Sequence, residues 1–135
     1  MVELVYDIDV HPLFRAVAMF ENFRINMQTD RDKAGAIQAF EFSFELAWKT
    51  MKRLLHVQGI EVRSPRDAFR EAASIGMISD PKQWFSFLEK RHLTVHTYEE
   101  EIVNQILQIF SEFSAALDEL MRYIESEKTK SALLK

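Results

Sequence analysis

Residues 30–59 read DRDKAGAIQAFEFSFELAWKTMKRLLHVQG, and the spacing within this stretch decides between a sheet and a helical bundle. Ile37, Phe40, Phe44, Ala47, Trp48, Met51, Leu54 and Leu55 recur at the three- and four-residue intervals that stack side chains on one helix face. Ala39, Phe42 and Leu46 lie almost opposite, and Glu41, Glu45, Lys49 and Lys52 form a polar strip between the two apolar faces. A helix with two apolar faces either runs through the centre of its own bundle or packs against a second chain as well as its own core. Thr29 or Asp30 supplies a cap at the start, and Gly59 stands where a left-handed residue closes a helix.

Working outward, the same punctuation marks further helices. An N-terminal helix over about Pro12 to Met27 carries Leu13, Phe14, Val17, Phe20 and Phe23 as its apolar positions. Ser64-Pro65 and Asp80-Pro81 each place a side-chain oxygen at the cap and proline in the first turn, opening helices that end near Gly76 and Lys90. From Thr97 to about Ser126 the apolar positions, Ile102 through Ile124, fall on one arc, so this last helix faces a single core. Glu127 to Lys135 reads as a polar, frayed tail. The expected architecture is all-α: an up-and-down bundle of about five helices forming one domain over residues 1–126, followed by the tail.

Composition agrees with that class. Among 135 residues only 3 are glycine and 3 proline, too little turn chemistry for a sheet-rich fold. With no cysteine, disulfides, thiolate metal sites and a cysteine nucleophile are excluded. Met1 to Val10 contains Glu3, Asp7 and Asp9 and no basic lead, and no apolar run approaches the ~20 residues of a membrane span. A soluble cytoplasmic chain is the expectation. The net charge of −4 argues against broad, nonspecific nucleic-acid binding but leaves room for a local basic site.

The chemically dense segment is Arg91-His92-Leu93-Thr94-Val95-His96-Thr97-Tyr98. One reading is phosphodiester cleavage in RNA, with a histidine moving a proton near neutral pH and an arginine stabilising the phosphorane. Positions five apart lie about 140° apart on a helix, so Arg91 and His96 converge only through a helix break at Thr94-Val95 or through a two-fold axis between chains. A second reading is a metal site, since His92, His96 and Glu100 are spaced four apart; no further ligand is identifiable, and no metal or cofactor is expected. A third is structural, with Arg91 paired to Glu99 or Glu100, and on spacing alone it carries the most weight. Trp48 and Trp84 read as core, and Glu41 and Glu45 as a solvated face, Glu45 preceding Lys49 by one turn. Arg63, Arg66 and Arg70 form a cationic group, and His11 and His56 have no evident partners.

The words AFEFSFELAWKTMK at 39–52, Gly59, Ser64-Pro65-Arg66, Phe69-Arg70-Glu71-Ala72, Gly76, Trp84 and Arg91 through Glu100 together resemble the nucleotidyltransferase substrate-binding proteins of the HEPN superfamily. The resemblance covers about residues 12 to 125. It implies a homodimeric helical bundle that forms a complex with a minimal nucleotidyltransferase. The superfamily motif, an arginine, a polar residue, three variable residues and a histidine, falls on Arg91, His92 and His96, with His92 where close relatives usually carry asparagine. In toxin–antitoxin members the arginine and histidine serve a metal-independent RNase toxin, and a tyrosine two residues beyond the histidine receives AMP from the partner; Tyr98 stands there. The alternative implied by the older family label is a non-catalytic subunit that holds substrate for its partner.

Overall fold

The computed structural model describes residues 1–134. Six α-helices make up most of it: α1 (His11–Ile25), α2 (Asp30–Val57), α3 (Pro65–Ser74), α4 (Pro81–Leu93), α5 (Glu100–Gln108) and α6 (Phe110–Leu133). Local chemistry starts α2, α3 and α4 where the sequence indicates. Thr29 accepts from the Asp32 amide and Asp32 reaches back to the Thr29 amide, a reciprocal capping box. The Ser64 and Asp80 side chains accept from the Asp67 and Lys82 amides at 3.2 and 2.9 Å. Gly59 and Gly76 take φ of +81° and +82°, the left-handed geometry that a side chain strains.

The core is a mesh of rings. Phe113, from α6, lies 5.2 Å from Phe20 of α1, 4.8 Å from Phe40 of α2, and 6.0 and 5.1 Å from Trp84 and Phe87 of α4, centroid to centroid. All of these contacts are edge-on, the arrangement that sets a ring's positive rim against a neighbour's negative face. Phe69 of α3 joins through Phe44 and Trp84.

The sequence reads α2 as two-faced, and most of its second face is covered by the chain itself. Ala39 is fully buried, the Ser43 hydroxyl donates to the Ala16 carbonyl of α1 at 3.1 Å, and Phe42 and Leu46 are half-buried against the core. Trp84 is core as expected, whereas Trp48 is only half-buried.

The expectations need correcting in three places. The helix expected over Thr97–Ser126 is two helices, because Ile109 (φ −92°, ψ −1°) bonds back to Ile106 in a tightened step. That step brings Ile106, Ile109, Phe110 and Phe113 all to the core. Secondly, the chain is not purely helical. Leu4–Val5 (β1) and Ile8–Asp9 (β2) form an antiparallel hairpin, with Tyr6 and Asp7 at φ +48° and +66° in its turn. Thirdly, the tail expected to fray beyond Ser126 is helical through Leu133, because the hairpin holds it; only Lys135 of that tail lies outside the described residues.

The hairpin grips α6 through Tyr6. Its amide donates to Ser131 Oγ at 2.8 Å and its phenol to Glu127 Oε2 at 2.7 Å, while Lys128 lies 3.6 Å from Glu3. The hydrogen bond to the Glu127 carboxylate is the main cause that pushes the Tyr6 phenol up to about 12. No helix among the described residues is long and apolar enough to cross a membrane.

Phe113 is fully buried and touches rings from three other helices. Phe113→Ala is expected to destabilise the fold by about 3–5 kcal/mol, read from the urea midpoint at unchanged slope. A loss under about 1 kcal/mol, typical of a surface change, would show that the mesh does not depend on this ring.

Candidate functional site

The helix break expected at Thr94-Val95 is present. α4 stops at Leu93, and Thr94–His96 form one turn of 3₁₀ helix. Both the backbone amide and the hydroxyl of Thr94 donate to the Arg91 carbonyl, the hydroxyl at 2.7 Å, and the hydroxyl also accepts from Arg91 Nη1 at 3.0 Å.

Arg91 does not pair with Glu99 or Glu100. It points across to the polar strip of α2, with Nη1 3.5 Å from Glu41 Oε2 and Nε 3.4 Å from Glu45 Oε1. Nε is shielded from solvent and lacks a well-aligned hydrogen bond, so the second contact is one of charge. Glu45 also accepts from Trp48 Nε1 at 3.1 Å. Glu41 and Glu45 are therefore the clamp that orients Arg91 and not the merely solvated face that their sequence spacing suggests. Residues one turn apart on α2 become neighbours of Arg91 only through the packing of α4 on α2, which no local pattern encodes.

His92 and His96 are exposed, as is Tyr98, with 78% of its surface accessible. The Tyr98 hydroxyl lies 3.1 Å from His96 Nδ1, and the two rings meet edge-on at 5.8 Å. No hydrogen bond or ion pair joins Arg91 to His96 among the described residues: each is held by a separate partner. Glu41, which pairs with Arg91, also lines a cleft of about 460 Å³ shared with Tyr98. Ile37 and Val103 give that cleft apolar walls, and Lys33, Asn104 and Glu100 give it polar ones. Tyr98 precedes α5 and sits in the turn, so its ring is freer than a position on the helix's apolar arc would allow.

Apart from Arg63, which is exposed and has no ion-pair partner among the described residues, the remaining sequence candidates find ordinary surroundings. The 3₁₀ turn removes the shared face of His92, His96 and Glu100, and among the described residues no three histidine, aspartate or glutamate side chains gather to hold a metal. The Arg66 and Arg70 guanidinium carbons sit over the Phe85 ring at 5.3 and 5.2 Å, and Arg70 lies 3.7 Å from Asp67. His11 lies 3.8 Å from Glu3, and His56 pairs with Glu61.

Against known proteins, the profile of the family described as nucleotidyltransferase substrate binding protein like matches residues 9–129. A curated Haemophilus influenzae protein named probable ribonuclease HepT is 38% identical over 96 residues, 64% of this chain and 66% of that one. A solved Haemophilus influenzae structure, described as revealing the fold of a substrate binding domain of a nucleotidyltransferase, has a TM-score of 0.80 at 28% identity. It is matched over 87% of this chain and 99% of its own. A Thermus thermophilus structure shares the fold, with a TM-score of 0.78 at 24% identity over 83% of this chain and 98% of that one.

The Arg91 clamp is partly exposed, with side-chain accessibilities of 27% for Arg91 against 35% and 36% for its carboxylates. Solvent screening then limits each pair to about 0.5–1 kcal/mol. Double-mutant cycles combining Arg91→Ala with Glu41→Gln or Glu45→Gln are expected to return couplings of that size in urea unfolding. A coupling of about 3 kcal/mol or more would mark a structural, effectively buried ion pair.

Proposed function

The chain belongs to the family of nucleotidyltransferase substrate-binding proteins, and from that membership we propose that it is the helical partner subunit of a small nucleotidyltransferase and carries a ribonuclease site at Arg91 and His96. The carrying observation is the junction of α4 with the 3₁₀ turn. It fixes an arginine by three side chains and leaves an unburied imidazole five positions on. Likeness to the relative named a probable ribonuclease supports the same assignment.

The chemistry suits those groups. In metal-independent RNA cleavage the 2′-oxygen attacks the adjacent phosphorus and the bond from phosphorus to the 5′-oxygen breaks. The 2′-hydroxyl proton passes to a base, the leaving oxygen takes a proton from an acid, and a cyclic phosphate and a 5′-hydroxyl remain. Imidazole serves the proton transfers near neutral pH, and a guanidinium serves the charge on the equatorial oxygens. His92, exposed on the last turn of α4, is a supporting group. Since Arg91 and His96 are held by separate partners, a homodimer in which one chain's arginine meets the other's histidine belongs to this proposal. The half-buried Phe42 and Leu46 are its candidate contacts.

One observation favours a second reading, a non-catalytic subunit that holds substrate. Arg91 lies between two carboxylates, which compensate the charge a phosphorane needs. Expression without the nucleotidyltransferase separates the two. The ribonuclease reading expects growth arrest with RNA cleavage, a dimer in sedimentation, and a loss of at least about 100-fold in cleavage rate for Arg91→Ala and for His96→Ala. A harmless wild type with intact RNA assigns the substrate-holding role.

Tyr98 is proposed as the regulatory acceptor of AMP from the partner. Its phenol oxygen would attack the α-phosphorus of ATP and release pyrophosphate, the phenol proton passing to solvent or to the adjacent His96. Its exposure and the 3.1 Å contact with His96 support this reading, since an adduct there would set its bulk and charge beside that imidazole. Intact-mass analysis after incubation with the partner, ATP and magnesium should find a nucleotide-sized increment that Tyr98→Phe abolishes. An increment that survives Tyr98→Phe assigns the acceptor elsewhere.

A further inference from the structure

A second groove, of about 460 Å³, lies on the C-terminal half of α2 and is lined by Trp48, Lys49, Lys52, Arg53, His56 and Glu61. Lys49, Lys52, Arg53 and His56 are spaced three and four apart and so share one exposed helix face. In a chain of net charge −4, this is a local reversal of sign. None of Lys49, Lys52 and Arg53 has an ion-pair partner among the described residues, whereas His56 is paired with Glu61, the groove's one carboxylate. Unpaired, solvated cations lose less on meeting an external anion than paired ones do.

Trp48 makes the groove more than a charged patch. It is half-buried, and its Nε1 is tied to Glu45 Oε2 at 3.1 Å, so the indole is fixed in orientation while part of it borders the groove. A held aromatic ring beside a row of cations is the arrangement that takes a single nucleic-acid strand, with bases stacking and phosphates pairing. The scale fits: at a rise of ~1.5 Å per residue, Lys49 and His56 are about 10 Å apart along α2, room for roughly two nucleotides. The strip is continuous with the site, because Glu45, which holds Trp48, also faces Arg91 Nε at 3.4 Å, one turn before Lys49.

We infer that the Trp48, Lys49, Lys52 and Arg53 face of α2 is the docking strip for single-stranded RNA, delivering a strand to the Arg91 region. The inference rests on the ribonuclease reading for its substrate, but its own content is where and how the strand is held. Stacking on Trp48 and charge pairing give little base selectivity, so the strip binds sequence-tolerantly.

The test is fluorescence anisotropy with the full chain and a labelled, fully 2′-O-methylated 12-nucleotide strand, which binds but cannot be cleaved, across 50 to 200 mM salt. Three phosphate contacts should give a log–log salt slope of about −2. Lys49→Gln/Lys52→Gln/Arg53→Gln, all exposed substitutions, should weaken binding at 50 mM at least tenfold and bring the slope near zero. Trp48→Ala should weaken it about tenfold with the slope retained, and Lys82→Gln, exposed at the start of α4, should change nothing. The inference is overturned if the wild type does not bind, or if the triple variant binds like wild type. It is equally overturned if the triple variant keeps its oligonucleotide affinity and instead loses the nucleotidyltransferase, which would make the strip a protein contact. Strip-dependent binding in a chain that cleaves no natural RNA upholds the strip and removes only the ribonuclease reading; cleavage without strip-dependent binding does the reverse.

Discussion

Phe113 has to lie edge-on to Phe20, Phe40, Trp84 and Phe87 at once, and that requirement positions the helices that build the site. Rings packed edge to face admit little sliding, because a shift of a helix by a fraction of a turn replaces several favourable rim-to-face contacts with repulsive ones. Trp84 and Phe87 fix α4 on this mesh, and Phe40 fixes α2. Once both helices are set, the last turn of α4 lies over the polar strip of α2, and Arg91 reaches Glu41 and Glu45. The modest strength of those ion pairs is then no weakness. They do not hold the helices together; the rings do, and the carboxylates only choose among the rotamers of an arginine already in place.

The second constraint is the pair of tightened turns on either side of α5. At Thr94 the backbone amide and the hydroxyl both bond to the Arg91 carbonyl at i−3, and at Ile109 the backbone amide bonds to i−3. The first lets the chain change direction immediately after the arginine, so that His96 and Tyr98 are presented to solvent instead of continuing around α4. The second lets α5 and α6 each lay an apolar face on the core, Ile106 from one and Phe110 and Phe113 from the other. The segment from Thr94 to Glu99 is thus a short bridge, exposed from Val95 on, between two helices that the core anchors independently.

What could be read from the sequence follows from what is local. Capping is settled within four residues, so Thr29, Ser64-Pro65 and Asp80-Pro81 announce α2, α3 and α4, and the break at the β-branched pair Thr94-Val95 is one of two alternatives the spacing leaves open, although it does not bring Arg91 and His96 together. The N-terminal hairpin was not legible. Its turn puts Tyr6 and Asp7, neither a glycine, at positive φ, and what rewards that conformation is Glu127 and Ser131 at the far end of the chain. The same bonds keep the C-terminal segment helical, where its polar composition alone reads as fraying. Arg91's partners were missed for a like reason: Glu99 and Glu100 are near in sequence, but Glu41 and Glu45 are near in space. The break at Ile109 leaves no trace in periodicity, because both halves of the pattern stay apolar on the same arc.

The polar strip of α2 changes sign along its length, and this orders the surface around the site. Its first turns carry Glu41 and Glu45, both engaged with Arg91; its later turns carry Lys49, Lys52 and Arg53, engaged with nothing among the described residues. A polyanion lying on the basic turns is attracted until it reaches Glu45 and is repelled beyond it, except where Arg91 offsets the carboxylates. The boundary between attraction and repulsion therefore coincides with the arginine. A single helix can mark such a boundary because its rise is fixed, so a charge reversal one turn long is held at about 6 Å, close to the length of one nucleotide. Under the proposed docking of a strand, the carboxylates that compensate the charge of Arg91 would also limit how far that strand advances past the arginine.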